Sequence, residues 1–398
     1  MTVRLNDRFE RLRPRHDSGG GVGAGEGVAA LRGAFDVLAW ADPFGPDGAL
    51  PSSVADAMVR AVRSGAGAHY EPPTGESNLR AAIARRVGAR LGRTLDPDRH
   101  VLVTPGSDSG LYYALATVLS PGDEVITFTP SYPSNIATTE LLGAVPVIVP
   151  LKAEDGYRLD PADVARRITP RTRALVLTHP NNPTTTVHDR ERLLALASII
   201  VEHDLVLICD QAFEDHLFDG VEFTPPAALK GMWDRTLSIH SFSKGYGLSG
   251  LRVGYIVGHE HLLEPLLQAA VLVLGAPNTL AQVGALAALE DETLLPSYKE
   301  EFDIRRRQLF GALHDVPGVS LAPAESGILS WVDISQLGSA ADVAKHVQVR
   351  ARVLVNEGDA YGPGGEGHLR IVHGAIADRR SFADAVDRIR IALLSYSR

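Results

Sequence analysis

The sequence predicts an α/β protein built on a mostly parallel sheet. Seven short apolar runs recur from residue 100 onward, at 101–103, 125–128, 145–149, 174–178, 205–209, 236–240 and 253–257. Helical patterns or turns separate most of them. The runs are continuous and rich in Val, Leu and Ile, as strands buried on both faces are. Small and polar residues cluster just after the runs, and in such sheets ligands gather at the carboxyl ends of strands.

Length and composition bound the rest. The chain has 398 residues, 45% of them hydrophobic, which allows a large core and two or three domains. The net charge is −9 with both signs mixed throughout. No basic stripe is present, so nucleic acid is not an expected partner. The single cysteine, Cys209, excludes an internal disulfide framework and a cysteine-built metal site, and no metal is expected. Met1 to Asp17 alternates charges without an apolar core, unlike a secretory signal. No apolar run reaches membrane-spanning length. These features lead us to expect a soluble, cytoplasmic protein. The stretch Gly19 to Gly27 is glycine-rich, but no strand precedes it as a phosphate loop requires, so it reads as a flexible arm.

The elements follow in order. Phe35 to Ala41 is a short apolar run, turned by Asp42-Pro43-Phe44-Gly45-Pro46. Val54, Ala57, Met58, Ala61 and Val62 have helical spacing within 51–64, and a second helix is expected from Ser77 to about Leu91. After the first strand comes Thr104-Pro105-Gly106-Ser107-Asp108-Ser109-Gly110, then an apolar helix over 111–119. A helix beyond Gly258 is broken near Gly275, and helices follow at about 279–290 and 297–314. The last portion mixes short strands (319–322, 328–334, 353–356, 369–372) with helices near 340–348 and from Arg379.

One stretch carries the chemistry. Ser241-Phe242-Ser243-Lys244-Gly245-Tyr246-Gly247 leaves a strand end, and Arg252 follows. An amine in a tight, small-residue loop is suited to attack an aldehyde. A nearby arginine fork can clamp a phosphate. The turn at Gly106 feeding a helix offers backbone N–H groups to an anion. Asp210 closes another apolar run, and Asn182 lies in His179-Pro180-Asn181-Asn182-Pro183 after a third.

From about residue 35 to the end, these motifs resemble the class I/II aminotransferase family of fold type I pyridoxal 5'-phosphate (PLP) enzymes. The order Tyr70, Gly106, Tyr132, Asn182, Asp210, Lys244, Arg252, Arg370 matches that family's. The resemblance implies a three-layer α/β fold with a mostly parallel seven-stranded sheet, plus a smaller α/β domain drawn from both chain ends. It implies an arm and part of the small domain over 1–47, a large PLP-binding domain over 48–283 and a small domain over 284–398. Lys244 would hold PLP as a Schiff base and move the Cα proton. Asp210 would face the pyridine nitrogen. Gly106, Ser107 and the backbone of Asp108, with Ser241, Ser243 and Arg252, would surround the phosphate. Tyr132 would stack on the ring, with Asn182 and Phe213 near its hydroxyl oxygen. Arg370, in Gly365-Glu366-Gly367-His368-Leu369-Arg370, would bind the substrate carboxylate, with Asn182, Ala41 and Trp40 beside it. His368 and Cys209 read as structural. Tyr70 and, more weakly, Asn278 would reach the phosphate of a partner subunit, implying a homodimer with shared active sites.

Four positions depart from the family pattern. Ala41 replaces a glycine, Asp108 a hydroxyl residue, Thr185 a glycine and Phe213 a tyrosine. Asp108 is expected to turn from the phosphate and cap its helix, and the backbone after Thr184 is expected to differ. Phe213 cannot donate a hydrogen bond to the cofactor's ring oxygen. The expected reaction moves an amino group between an L-amino acid and a 2-keto acid. A cyclase, lyase, decarboxylase or oxidase acting on an amino acid, an arginine derivative included, remains an alternative on the same scaffold. A noncatalytic PLP- or amino-acid-binding domain is a remote one.

Overall fold

The computed structural model describes residues 34–396 together with Asn6 and Arg8. The glycine-rich stretch Gly19 to Gly27 lies outside the described residues. The strands, in chain order, are β1 Asp36–Val37, β2 Val101–Thr104, β3 Glu124–Thr129, β4 Val145–Pro150, β5 Thr172–Thr178 and β6 Val206–Asp210. They continue as β7 Thr236–Ser241, β8 Gly254–Gly258, β9 Leu329–Asp333, β10 Val353–Leu354, β11 Asn356–Glu357 and β12 His368–Val372. All seven apolar runs became strands of one sheet, in the order β2-β8-β7-β6-β5-β3-β4. Strand β8 runs antiparallel to both neighbours. The other pairings are parallel.

Three layers follow from the alternation of side chains along each strand. On one face Ile208, Leu237, Ile239 and Ile256 pack against Leu111, Ala114 and Leu115 of the helix Ser107–Val118. On the other, Leu207 and Cys209 pack against Leu193, Leu196 and Ile200 of the helix Arg190–Glu202. Further along that face, Val101, Val103 and Val257 meet Leu79, Ile83 and Val87 of the helix Ser77–Leu91. Cys209 is fully buried, and burial raises its thiol well above the ordinary value.

A second apolar cluster gathers Leu38 and Ala41 from near the start of the described chain with residues from 302 to 393. Its antiparallel sheet has the order β11-β12-β9, and β1 pairs in parallel with β10. The helix Leu294–Leu313 joins both cores: Leu294 packs with the seven-stranded sheet, Phe302, Leu309 and Leu313 with the second cluster. Two expectations fail here. The run 319–322 is no strand; Ser320 makes a single bridge to Asp333. The run 353–356 splits, and its two ends join different sheets.

Candidate active site

The site forms where β2, β3, β5, β6 and β7 end. Asp210, the last residue of β6, is 6% exposed, and the Ala212 N–H donates to its Oδ1 at 3.1 Å. Burial pushes its carboxyl up to about 6; the Asp108 carboxylate adds to this, while the Ala212 N–H, His240 and Lys244 oppose it. Nearby lies a buried network that sequence reasoning missed. His240 Nδ1 is 2.9 Å from Glu214 Oε1, Gln211 Nε2 donates to Glu214 Oε2 at 2.8 Å, and Arg90 is 2.6 Å from Glu214 Oε1. Burial alone would raise the Glu214 carboxyl, but His240, Arg90 and Arg86 outweigh it and hold it well below the ordinary range. The sequence signal was a pair of acids, Glu214-Asp215, soon after the run that Asp210 closes.

Lys244 sits in the short helix Phe242–Gly245, whose start is capped by Ser241 Oγ accepting from the Ser243 N–H at 3.1 Å. Its amine donates to the Ala41 carbonyl. Burial, helped by Arg370 and Arg252, lowers its pKa to about 8 against the pull of Asp42 and Asp108. A lysine so placed is substantially neutral at mildly alkaline pH, as a nucleophile or base must be.

An anion cup lies beside it. The helix Ser107–Val118 begins after Gly106, and no side chain caps its first turn, so its N–H groups stay open. Gly106 has φ +87°, and a Cβ there would stand 2.5 Å from Arg252 Nη2. Gly254 closes the other side; a Cβ on it would lie 2.7 Å from Ser107 N. Arg252 donates to Ser249 O at 3.0 Å and to Ser243 Oγ at 3.4 Å. Asp108 does not cap the helix as expected. Its Oδ1 accepts from Tyr132 OH at 2.7 Å and its Oδ2 lies 3.7 Å from Arg252, because the cap position belongs to Gly106. Burial, reinforced by Asp108, raises the Tyr132 phenol.

Asn182 is 4% exposed, and its Oδ1 accepts from Arg370 Nη1 at 3.3 Å. Thr185 adopts φ +64°, the left-handed region a glycine favours, although a β-branched residue pays for it in strain. The conformation is held from the segment before β9: Ser326 Oγ donates to Thr185 O at 2.7 Å, and Glu325 N donates to Thr185 Oγ1 at 3.3 Å. Phe213 is 5% exposed and joins the second cluster, with its ring 2.6 Å from where a Cβ on Gly327 would stand.

Arg370, on β12, is 7% exposed. Its Nη2 donates to Ala39 O at 2.6 Å and to Asn356 Oδ1 at 2.7 Å. Its buried Nε has no partner among the described residues, and the guanidinium lies 5.0 Å from the centre of the Tyr361 ring. His368 stacks on Trp331 at 4.7 Å, with one ring nitrogen 2.8 Å from Tyr157 OH and the other 2.8 Å from Glu366 O. Neither Asn356 nor Tyr361 was singled out in the sequence, where they end a strand and open a glycine turn.

The remaining residues stand apart or at the margin. Tyr70 is 94% exposed. Asn278 caps the helix Thr279–Glu290, its Oδ1 accepting from Ala281 N at 2.9 Å. Trp40, 47% exposed, lies between Ala39 and Ala41, whose carbonyls meet Arg370 and Lys244. Ser107 is partly buried at the helix start.

The arrangement fits PLP. The uncapped helix start, the glycine at which a Cβ would strike Arg252, and Arg252 itself suit a phosphate. The buried carboxyl of Asp210 suits a protonated ring nitrogen. The orphaned Nε of Arg370 suits an incoming carboxylate. Asp108 alone sits poorly beside a phosphate.

Comparison with known proteins agrees. Residues 39–389 match the family described as aminotransferase class I and II. The chain is 35% identical over 348 residues to an arginine–pyruvate transaminase of Pseudomonas aeruginosa, covering 87% of each. It is 30% identical over 352 residues to an aromatic-amino-acid aminotransferase of Thermococcus litoralis, covering 87% of this chain and 90% of that one. Among solved structures, the Thermus thermophilus aspartate aminotransferase with maleate superposes with TM-score 0.87 at 28% identity, covering 98% of this chain and 100% of that one. The N-succinyldiaminopimelate aminotransferase of Mycobacterium tuberculosis gives TM-score 0.88 at 26% identity, with 98% and 100% covered. The chain belongs to the class I and II aminotransferase family and is a PLP-dependent aminotransferase.

Proposed function

We propose that Lys244, Asp210 and Arg370 divide the work of this aminotransferase. The observation that carries the reading is their convergence: an amine lowered to about 8 and a buried carboxyl raised to about 6 at the end of the seven-stranded sheet face an arginine of the three-stranded sheet, whose Nε has no partner among the described residues. Bound PLP supplies the electron sink for the carbanion at the substrate Cα. Lys244 would hold the cofactor's aldehyde between turnovers. Once released, its neutral amine takes the Cα proton and returns it during the exchange. Asp210 keeps the ring nitrogen protonated. Arg370, with Asn182 beside it, binds the α-carboxylate of donor and acceptor alike and so fixes which Cα bond lies across the ring. Gly106, Ser107, the Asp108 N–H, Ser241, Ser243 and Arg252 surround the phosphate. Tyr132 would stack on the ring and Phe213 would lie near its hydroxyl oxygen, and Ala41 with Trp40 would narrow the substrate side.

The substrates are an L-amino acid and a 2-keto acid. L-Arginine with pyruvate is the first pair to test, because a relative 35% identical is named for that exchange. The PLP-loaded protein is mixed with single amino acids, arginine included, without a keto acid. One equivalent of keto acid with loss of the cofactor's aldehyde absorbance supports the reading. Continued turnover without an acceptor, or normal turnover by Lys244→Ala, refutes it.

The reading extends to assembly. A homodimer accounts for the exposure of Tyr70 (94%) and of Val271, Leu272 and Val273 (61%, 86% and 51%). The domain division at 47/48 and 283/284 is supported by the apolar cluster that gathers Leu38 and Ala41 with residues between 302 and 393. Among the described residues no helix is long and apolar enough to cross a membrane, and a cytoplasmic location is part of this proposal.

A further inference from the structure

We infer that Asn356 is a second substrate-binding residue, donating its side-chain amide N–H to the same α-carboxylate that Arg370 binds. The inference rests on the assignment of Arg370 as the carboxylate site and deepens it.

The argument begins with register. Asn356 on β11 is the direct cross-strand partner of Arg370 on β12. Directly opposed residues of an antiparallel pair project to the same face. The amide oxygen accepts from Arg370 Nη2 at 2.7 Å, which fixes the orientation of the amide. Its NH2 group then points away from the guanidinium, and it has no hydrogen-bond partner among the described residues. Asn356 is half-buried and shares a face of the sheet with Arg370, so its two unpaired amide donors are available to a ligand of that guanidinium.

Charge supports the same role. Every hydrogen bond Arg370 makes goes to a neutral oxygen: Ala39 O, Asn182 Oδ1 and Asn356 Oδ1. No carboxylate pairs with it among the described residues. A guanidinium left unneutralised and largely buried keeps its whole charge for the substrate. An aspartate at 356 would have the same shape, accept the same hydrogen bond and cancel that charge. Asparagine holds the arginine in place without quenching it and adds a donor on the side where a carboxylate arrives.

The experiment uses the PLP-loaded protein and follows the cofactor's absorbance on mixing with L-alanine, L-arginine and L-phenylalanine. Each is compared with its decarboxylated amine: ethylamine, agmatine and phenethylamine. Asn356→Asp is expected to raise the dissociation constant of every reactive amino acid at least tenfold and to leave reactive amines within about twofold. Asn356→Ala, which removes both the acceptor and the donor without adding charge, is expected to weaken amino acids three- to tenfold with the same selectivity. Equal effects on amino acids and amines in both variants, or no effect on amino acids in either, would overturn the inference. Arg370→Gln separates this from the parent assignment. If it discriminates against amino acids while the Asn356 variants do not, only Asn356 is misassigned. If Arg370→Gln shows no such discrimination, the carboxylate site itself lies elsewhere.

Discussion

Replacing Asp210 with asparagine should stabilise the cofactor-free protein while abolishing its transamination. The carboxyl is 6% exposed and is raised from 3.8 to about 6, chiefly by burial. A group whose folded pKa lies above its unfolded value binds its proton more tightly in the folded state. Stability therefore falls as pH rises through the window from 3.8 to about 6, and the full cost is present above it. At about 1.4 kcal/mol per pKa unit, the ionised carboxylate costs the folded state on the order of 3 kcal/mol at pH 7.5 and roughly half that at pH 5. Asparagine avoids that cost. Its side-chain oxygen still accepts from the Ala212 N–H, a contact of 3.1 Å in the native protein.

The assay is urea denaturation of cofactor-free wild type and Asp210→Asn at pH 7.5, 6 and 5. The variant should be more stable by roughly 3 kcal/mol at pH 7.5, and the gap should shrink as pH falls. Saturating PLP should close the gap by stabilising the wild type more, since only the carboxylate pairs with a ring cation. A variant no more stable than wild type at pH 7.5, or a gap that widens toward pH 5, would refute the reasoning.

Three further outcomes are expected. Asp108→Asn should tighten PLP binding about five- to tenfold in fluorescence titration: removing a charge 3.7 Å from Arg252, with both groups half exposed, frees about 1 kcal/mol at the dielectric of water. Added salt should shrink that gain. Glu214→Gln should destabilise the fold by about 3 kcal/mol, because Arg90 and His240 lose a buried partner. Since Glu214 is held below its ordinary value, its contribution is complete above pH 4.5 and fades as pH falls below it, so the variant's deficit should narrow in acid melts. Phe213→Tyr should lower the pKa at which the bound cofactor changes colour, by restoring a donor near the ring oxygen; an unchanged titration counts against Phe213 lying there.

Much of the fold was legible because buried strands are continuous apolar runs, and each of the seven runs marked one. The reversed direction of β8 was not, since direction is set by the chain's return path and not by the run itself. The run 353–356 misled for a related reason: Val353 and Leu354 pair with β1, whereas Asn356 and Glu357 pair with β12, and an apolar pattern does not name its partner. In the site, Lys244, Asp210 and Arg370 stood out in the sequence because each follows or lies in a strand within a distinctive motif, and the structure brings the three together. Asp108 was misread because an acid in a helix's first turn suggests a cap, while the nearby phenol of Tyr132, 24 residues on, took its oxygen. Asn356 and the Glu214–His240 pair were invisible because their partners lie 14 and 26 residues away.

The backbone at Ala39 and Ala41 acts as a tethered competitor. Its carbonyls occupy donors of Arg370 and Lys244, the groups proposed to receive substrate carboxylate and cofactor aldehyde. A tethered group competes at the high effective concentration its attachment gives it. A ligand of the Arg370 Nη2 or of the Lys244 amine is therefore measured against a resident occupant, whereas one that takes the Arg370 Nε meets none among the described residues.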